Sequence, residues 1–182
     1  MHIYISGGCK NGKSYYAQRL AKALGEPLYY LATMIPTDGE DDARIARNIA
    51  DRAGWGFQTI ECGRRILTAL DGADSEGSFL LDSVTALLAN EMFTPEGFDP
   101  DAPARVAEEL EAFLRRTANA VLVSDFIFGD AAIYDEMTEA YVAGLAYLDR
   151  KLAAAGDVLL EVSAGRAICH KGELGAMRLC GM

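Results

Sequence analysis

The chain has 182 residues, of which 51% are hydrophobic, so it can bury the core of one compact domain. Its 27 acidic residues outnumber 17 basic ones and give a formal net charge of −10, which repels phosphate backbones and anionic lipid headgroups. We therefore expect neither nucleic acid nor a membrane surface as a partner. The N-terminus shows no targeting segment, no run reaches the roughly 18 apolar residues of a membrane span, and the cysteines form no CxxC pair. These features predict a reduced, cytoplasmic protein.

The first elements alternate between strand and helix. The β-branched and aromatic run Ile3–Ile5 predicts a strand, and the helical spacing of apolar residues over Lys13–Leu24 predicts a helix. The run Leu28–Ala32 is apolar on both faces, as strands are inside a parallel sheet. A helix over Glu40–Arg52 and a short strand over Phe57–Ile60 are the next predicted elements.

The second half of the chain continues this alternation. The apolar run Ser78–Asp82 predicts a buried strand that ends in a carboxylate, and Val84–Met92 predicts a helix. The segment Phe93–Pro103 contains three prolines, and we expect a loop insert there rather than a domain boundary. The later predicted elements are a helix over Ala104–Asn119, a strand over Ala120–Ser124, a helix over Tyr134–Ala155, and a closing pair of strands over Val158–Ser163 and Arg166–His170. Alternating strands and helices predict a single α/β domain over residues 1–182 with a mainly parallel central sheet.

The strongest functional signal is a glycine-rich loop between the first strand and the first helix. Residues 7–14 read GGCKNGKS, a full match to the phosphate-binding loop pattern, flanked by the strand and helix that the mechanism requires. The glycines let backbone N–H groups turn inward, Lys13 reaches the outer phosphates, and Ser14 binds Mg²⁺. We expect the whole loop to contact a nucleotide, ATP or GTP, through Gly7, Gly8, Cys9, Lys10, Asn11, Gly12, Lys13 and Ser14.

Asp82 is the candidate for the second magnesium contact. It follows the apolar run Phe79–Leu81, and a carboxylate at the end of a buried strand orders the water shell of Mg²⁺ in nucleotide-binding folds. Together with Lys13 it is our candidate catalytic residue. Asp82 could instead cap the helix starting at Ser83, a role compatible with metal binding. Thr33 ends the second strand, where it either contacts a ligand or simply terminates the strand.

Several short stretches, taken in order, resemble one enzyme family. Tyr30–Thr33 is similar to the YIAT strand of that family, Glu40–Ile45 to its acidic and Arg-Ile helix, and Leu80–Thr85 to its LLDCLT stretch. The further matches are Trp55, Glu61, Asn90 and Leu152–Ala155. With the glycine-rich loop they resemble, over nearly the whole chain, the bifunctional adenosylcobinamide kinase and adenosylcobinamide-phosphate guanylyltransferase family of cobalamin assembly.

The resemblance implies a fold, an assembly and two reactions. The fold is that of RecA-like P-loop NTPases, in three layers, and the assembly is a homotrimer. In the first reaction the aminopropanol hydroxyl of the corrinoid is phosphorylated, and in the second the product receives GMP through a guanylated histidine. The ligands implied are a nucleoside triphosphate with Mg²⁺ and a corrinoid, and Glu61 joins the candidate nucleotide contacts.

The histidine of the second reaction is replaced. The family pattern Arg-Ile-x-His places it directly after Arg44–Ala46, where this chain has Arg47. A guanidinium stays protonated and has no lone pair to form a phosphoramidate, so Arg47 cannot be that nucleophile. We interpret the two histidines of the chain, His2 and His170, as structural. The sequence therefore predicts phosphoryl transfer and makes guanylyl transfer doubtful.

Two further departures fall where the resemblance places substrate or active-site contacts. The family's Asn-Glu-Val-Gly is replaced by Ser124–Gly129, and its Gly-x-x-Asn by Ala146–Asp149. Two alternatives to the cobinamide kinase therefore stay open. One is a nucleotide-binding regulatory protein that keeps the loop and has lost both transfers, and the other is a P-loop kinase for another small hydroxyl substrate.

Overall fold

The computed structural model describes residues 1–36, 46, 49–50, 52–129 and 132–173. Most of the predicted helix over Glu40–Arg52, including Arg47, lies outside these residues. Of its described members, Ala46, Ile49 and Ala50 are helical.

A seven-stranded sheet lies at the centre of the structure. Its strands are β1 (His2–Gly7), β2 (Leu28–Ala32), β3 (Phe57–Glu61), β4 (Ser78–Asp82), β7 (Asn119–Asp125), β8 (Val158–Ser163) and β9 (Arg166–Lys171), while β5 (Phe93–Thr94) and β6 (Gly97–Phe98) form a separate hairpin. The order in the sheet is β3-β2-β4-β7-β1-β8-β9. All pairs are parallel except the antiparallel pair β8 and β9. The predicted mainly parallel sheet is confirmed.

Besides the helical residues Ala46, Ile49 and Ala50, the described ranges contain four α-helices and one short 3₁₀ helix that connect the strands. They are α1 (Lys13–Leu24), the 3₁₀ helix Ile66–Leu70, α2 (Val84–Met92), α3 (Ala102–Arg116) and α4 (Glu136–Ala155). Asp135 accepts hydrogen bonds from the N–H groups of Met137 and Thr138, so α4 begins after this cap and not at Tyr134 as predicted. Within the described part of the chain, no helix combines the length and the apolar character needed to cross a bilayer.

The central strands feed two apolar cores, one on each face of the sheet. Successive strand residues point to opposite faces, which sends Leu81 and Leu122 to the core formed with α2, α3 and α4. Leu80 and Val121 point the other way, to the core formed with α1. All four are at most 2% exposed. Helices therefore cover both faces, as the predicted three-layer arrangement requires.

The prediction is wrong in detail between the end of α2 and the start of β7. Phe93–Pro103 is not a plain loop, because it contains the β5–β6 hairpin and the first residues of α3. Pro103 is accepted in the first turn of α3, where a backbone N–H has no helical partner to lose. The helix ends at Arg116 instead of Asn119, since the backbone is already extended after Arg116 and Asn119 begins β7.

Candidate nucleotide site at the carboxyl edge of the sheet

The glycine-rich loop joins β1 to α1 at the carboxyl edge of the sheet, between β7 and β8. Gly7 is in register with Asp125 of β7 and with Val162 of β8. A Cβ on Gly7 would lie 2.2 Å from the carbonyl oxygen of Val162, so the close approach of these strands requires glycine. Gly12, directly before α1, has φ of 92°, a left-handed conformation that also favours glycine. Steric constraints of the fold therefore explain why two of the loop positions are glycine.

The Lys13 side chain turns back over the loop. Its Nζ donates hydrogen bonds to the carbonyl oxygen of Gly8 and to Oδ1 of Asp125, both at 2.7 Å. Lys13 is 6% exposed and Asp125 is 24% exposed, so the ion pair is shielded on the lysine side and open to solvent on the carboxylate side. The ammonium group thus lies among loop backbone groups, where a phosphate oxygen could replace its present acceptors.

Asp82 and Ser14 meet on the side of the loop that faces β4. Ser14 Oγ donates to Asp82 Oδ2 at 3.0 Å, and the Tyr30 hydroxyl donates to the same oxygen at 3.1 Å. Removal from solvent raises the pKa of Asp82, and the two hydroxyl donors oppose that rise. Ser83, not Asp82, caps α2, because its Oγ accepts a hydrogen bond from the Ala86 N–H. The alternative that Asp82 caps this helix is therefore wrong.

Ser14 and Asp82 have the chemistry that a magnesium site needs. Mg²⁺ prefers oxygen ligands and is held in proteins by one or two carboxylates together with water and substrate phosphates. The hydroxyl and carboxylate oxygens here are 3.0 Å apart beside the loop. The two residues therefore fit a magnesium ion that is shared with nucleotide phosphates.

The other predicted loop residues line its outer surface. Cys9 and Lys10 are exposed, and Asn11 is half-buried. Lys10 has φ of 58°, so the loop turns sharply at this residue. A side chain on Gly8 would meet the Asn11 amide, whose Nδ2 would lie 2.8 Å from the added Cβ. These positions put all of the predicted loop contacts around one turn of backbone.

Thr33 and Glu61 lie along the same sheet edge, after strands that β4 and β7 separate from β1. Thr33 is fully buried. Its hydroxyl donates to the carbonyl oxygen of Ser83 at 2.8 Å and accepts from the Ser83 N–H at 2.7 Å. It thereby ties the end of β2 to the start of α2. Glu61 is exposed at the end of β3. Among the described residues, no hydrogen bond joins Thr33 or Glu61 to the phosphate loop.

The two histidines also have local partners. His2 Nε2 lies 2.9 Å from the carbonyl oxygen of Thr117, at the opposite edge of the sheet. His170 Nε2 lies 2.8 Å from Oε2 of Glu161, on the β8–β9 pair. Strand β8 lies between the strand of His170 and β1. These contacts fit the interpretation of both histidines as structural.

Asp125 lies in the site but is not among the residues predicted from the sequence. It lies in Ser124–Gly129, the segment that departs from the pattern of the resembled family. Its N–H donates to Thr85 Oγ1 at 2.8 Å, and the hydroxyl of Tyr141 donates to the Thr85 carbonyl oxygen at 3.0 Å. Helices α2 and α4 therefore hold the end of β7 beside the loop. The signal that could have found Asp125 is the one that found Asp82, an acid directly after an apolar strand.

A third carboxylate, Asp149, lies one layer away from the loop. The hydroxyls of Tyr4 and Ser124 both donate to its Oδ1, the second at 3.0 Å. Burial raises the pKa of Asp149, and burial together with the charge of Asp149 raises the pKa of Tyr4. Asp149 thus ties α4 to β1 and β7 beneath the phosphate loop.

Comparisons of the sequence with known proteins point to one family. The model of the family described as "Cobinamide kinase / cobinamide phosphate guanyltransferase" matches residues 3–169. The bifunctional adenosylcobalamin biosynthesis protein CobP of Pseudomonas aeruginosa is 31% identical over 179 residues, which cover 95% of this chain and 99% of that protein. The corresponding protein CobU of Salmonella typhimurium is 29% identical over 180 residues, with coverage of 91% and 97%.

Solved structures share the fold at low sequence identity. The PH0250 protein of Pyrococcus horikoshii has a TM-score of 0.56 at 9% identity, covering 96% of this chain and 88% of its own. The KaiC-like protein PH0186 of the same organism has a TM-score of 0.53 at 10% identity, with coverage of 95% and 80%. The RadB recombinase has a TM-score of 0.53 at 16% identity, with coverage of 95% and 81%. These likenesses confirm the RecA-like P-loop fold.

The family match extends across nearly all of the described structure, from β1 to β9, and includes the glycine-rich loop and Asp82. The resemblance inferred from the sequence is thereby confirmed, and the protein is a kinase-like transferase. This chain belongs to the cobinamide kinase / cobinamide phosphate guanyltransferase family.

Proposed function

We propose that this protein transfers the γ-phosphoryl group of a nucleoside triphosphate to the aminopropanol hydroxyl of adenosylcobinamide and has lost guanylyl transfer. The observation that carries the first half is the loop itself, where Lys13 Nζ donates to the Gly8 carbonyl oxygen and Ser14 Oγ donates to Asp82 at the end of β4. The second half rests on Arg47, which occupies the position of the guanylated histidine.

Lys13 supplies the positive charge for phosphoryl transfer. Its Nζ exchanges the Gly8 carbonyl oxygen and Asp125, its acceptors without nucleotide, for phosphate oxygens. The backbone N–H groups of the loop and the start of α1 add positive potential at the same place. Charge on the transferred group is thus stabilised by donors that are already oriented, which is the main task of a protein in this reaction.

Ser14 and Asp82 are the residues that would hold Mg²⁺ with the nucleotide. When bound, the ion neutralises charge on the β- and γ-phosphates. The hydroxyl of Tyr30 gives Asp82 a donor that is independent of Ser14. The orientation of the carboxylate therefore does not depend on Ser14 alone.

The loss of guanylyl transfer follows from the chemistry of the replaced residue. A covalent nucleotide on the protein needs a nucleophile with a lone pair near neutral pH, and a guanidinium has none. His170, the other residue of suitable type near the C-terminus, is paired with Glu161 and lies two strands from β1. Arg47 therefore cannot form a guanylylated intermediate, and the place of His170 on β9 gives no reason to assign it that role.

The test is a labelling experiment with adenosylcobinamide, Mg²⁺ and GTP that carries label at either the γ- or the α-phosphate. We expect γ-label in the corrinoid, and no α-label in either corrinoid or protein. Label from the α-phosphate would contradict the loss of guanylyl transfer, and His170 would be the first residue to replace. Nucleotide binding without transfer of either label would contradict the kinase and favour the regulatory alternative.

The variant Arg47→His separates the two halves of the proposal. It restores an imidazole at the position where the family carries its nucleophile. We expect α-label on the variant protein but not on the wild type, with transfer of γ-label unchanged in both. Equal α-labelling of the two proteins would show that position 47 does not decide the second reaction.

Three further properties belong to the same proposal. Nucleotide preference between ATP and GTP is measured by competition for γ-label transfer. A homo-oligomer, the trimer that the resemblance implies, is tested by the mass of the purified protein in solution. A cytoplasmic location is tested by fractionation of the producing cells.

A further inference from the structure

The position of Asp125 gives it access to a substrate at the phosphate loop. It is the last residue of β7 and is in register with Gly7, where the loop begins. Its Oδ1 lies 2.7 Å from Nζ of Lys13, the group that contacts the outer phosphates in the proposed function. Asp125 is 24% exposed, and among the described residues nothing donates to its Oδ2. One oxygen of this carboxylate therefore stays available beside the transferred group.

The backbone on both sides of Asp125 is fixed. Its own N–H donates to Thr85 Oγ1 at 2.8 Å, which ties it to α2. The N–H of the next residue, Phe126, donates to the carbonyl oxygen of Gly7 at 2.8 Å, which ties it to the loop. Because α2 and the loop both fix this backbone, the Asp125 carboxylate stays at a constant distance from the reacting atoms. Catalysis by positioned groups requires such a fixed distance.

The other carboxylates near the loop are engaged differently. Asp82 accepts two hydroxyl hydrogen bonds on one oxygen and fits a magnesium ligand. Asp149 accepts from Tyr4 and Ser124 and lies a layer away. A hydroxyl nucleophile must lose its proton as it attacks phosphorus, and in protein kinases a positioned aspartate accepts that proton.

From this geometry we infer that Asp125 accepts the proton of the acceptor hydroxyl, an inference that rests on the proposed kinase function. The hydroxyl oxygen forms its bond to the γ-phosphorus while the bond from that phosphorus to the bridging oxygen breaks. The electron pair of the broken bond stays on the nucleoside diphosphate, and the hydroxyl proton passes to the Asp125 carboxylate. Its partial exposure lets the proton return to solvent before the next cycle.

A simpler role for Asp125 predicts that the transfer rate does not depend on its charge. If the carboxylate only holds Lys13 until nucleotide arrives, removing its charge frees the lysine. Nucleotide would then bind more tightly and the rate at saturation would stay the same. The rate at saturation therefore distinguishes proton acceptance, which predicts a large fall, from a lock on Lys13, which predicts no change.

The experiment compares the full-length wild type with Asp125→Asn in single-turnover transfer of γ-label to adenosylcobinamide at saturating substrates. Asparagine keeps the shape and still accepts a hydrogen bond from Lys13, but it cannot take up a proton. We expect the rate to fall at least about 100-fold, within the range for a lost general base. The nucleotide dissociation constant, measured separately, is expected to stay within about threefold or to decrease.

Two further variants serve as controls. Asp157→Asn makes the same chemical change at the opposite sheet edge, where Asp157 Oδ2 accepts from the His2 N–H at 2.7 Å, and its rate is expected within about twofold of the wild type. Asp125→Glu keeps the carboxylate but displaces it, and we expect a loss of about tenfold, smaller than that of Asp125→Asn. If the asparagine variant fails to fold, Asp125→Ser decides, because it also lacks the carboxylate and a wild-type rate in it would overturn the inference.

The outcomes separate this inference from the proposed function. If the wild type transfers no γ-label to the corrinoid, the proposed function fails and the inference fails with it. If the wild type transfers label and Asp125→Asn stays within about threefold, only the role of Asp125 is overturned. A fall in rate matched by equally weakened nucleotide binding would overturn it as well, because a binding residue gives that pattern.

Discussion

The ends of two neighbouring strands, β4 and β7, each place a carboxylate beside the phosphate loop, and the surroundings of the two carboxylates differ. Asp82 on β4 accepts hydrogen bonds from the neutral hydroxyls of Ser14 and Tyr30. Asp125 on β7 accepts from the ammonium group of Lys13. Neutral donors leave the charge of a carboxylate for a cation to neutralise, whereas an ion pair neutralises it within the protein. At a shared sheet edge, the partners of an acid therefore indicate its role better than its position does.

The same difference appears in how each acid is tied to the loop. Asp82 is coupled to the loop through Ser14, a residue that fits the metal site, so a change at Asp82 affects metal binding. Asp125 is coupled through Lys13, so a change there affects charge and proton positions at the transferred group. Variants on the two sides should therefore fail in different ways.

The largest effect is expected from removing the cation that Asp125 contacts. Lys13→Met keeps the length of the side chain but loses both hydrogen bonds of Nζ. We expect phosphoryl transfer to fall on the order of 10³-fold, since a charge donor to the transition state is lost. Single-turnover transfer of γ-label measures this.

The matched control for that variant is Lys22→Met on the same helix. Lys22 is exposed, and its Nζ lies over the ring of Trp55 at 5.6 Å from the ring centre, away from the loop. Its rate should stay near that of the wild type. Retention of more than about a tenth of the activity in Lys13→Met would remove this lysine from the proposed mechanism.

A somewhat smaller effect is expected on the β4 side. Asp82→Asn can still accept from Ser14 and Tyr30, so the fold is kept while the negative charge is lost. We expect a loss of about 100-fold at millimolar Mg²⁺ that is partly recovered at higher Mg²⁺, because the defect lies in metal affinity. Titration of the transfer rate with Mg²⁺ checks this, and an unchanged midpoint would contradict the assignment of Asp82.

Tyr30→Phe tests the role of Asp82 through a milder change, the loss of one hydrogen-bond donor. The ring stays, with the guanidinium carbon of Arg52 at 3.8 Å from its centre, but one donor to Asp82 is lost. One hydrogen bond of about 1 kcal/mol corresponds to roughly a fivefold higher Mg²⁺ requirement.

The neighbouring variant Tyr29→Phe is the control for Tyr30→Phe. The Tyr29 hydroxyl accepts from the Asp74 N–H on the other face of the sheet. This loss should lower stability slightly and leave the Mg²⁺ midpoint unchanged. Equal midpoints in both variants would show that the Tyr30 hydroxyl does not act through Asp82.

The smallest effect is expected at Asp149, the carboxylate that does not contact the loop. Burial raises its pKa, so the folded state favours the protonated acid, and stability falls as pH rises through the window between the ordinary and the raised pKa. Asp149→Asn keeps an acceptor for Tyr4 and Ser124 without the charge. We expect its Tm to exceed that of the wild type by about 2–4 °C at about pH 8.

The pH dependence of the Tm difference between Asp149→Asn and the wild type tests whether the charge of Asp149 causes it. Below the ordinary pKa of 3.8 the wild-type acid is protonated in both the folded and the unfolded states, so the advantage of the asparagine should disappear by about pH 3. Thermal melts at a series of pH values measure the difference. A Tm shift that is constant with pH would mean that the charge of Asp149 is not its cause.

Local patterns predict the elements that carry the loop and Asp82. The observed bounds of β2, β4 and α2 agree with the predicted ones, because apolar runs, a terminal acid and helical spacing are all local signals. The family also follows from short matches in order. Bounds near Phe93–Pro103 are less predictable, since a proline can lie in the first turn of a helix as well as in a loop.

The role of Asp125 could not be predicted from its sequence position. It becomes a neighbour of Lys13 only because β7 pairs with β1, strands that are more than 100 residues apart in the chain. The order of strands in a sheet is a long-range property that one sequence does not encode locally. Thr33 is the opposite case. Its place at a strand end is typical of a ligand contact, but in the structure its hydroxyl is bonded to Ser83.

The most direct test of two carboxylates with two roles is the Mg²⁺ dependence of single-turnover γ-phosphoryl transfer in Asp82→Asn and Asp125→Asn. We predict that the loss of transfer rate in Asp82→Asn becomes smaller as the Mg²⁺ concentration rises. The rate of Asp125→Asn should instead reach its plateau at the same Mg²⁺ concentration as that of the wild type and stay below the wild-type rate. Parallel Mg²⁺ curves for the two variants, or recovery of Asp125→Asn by added Mg²⁺, would contradict this division of roles at the phosphate loop.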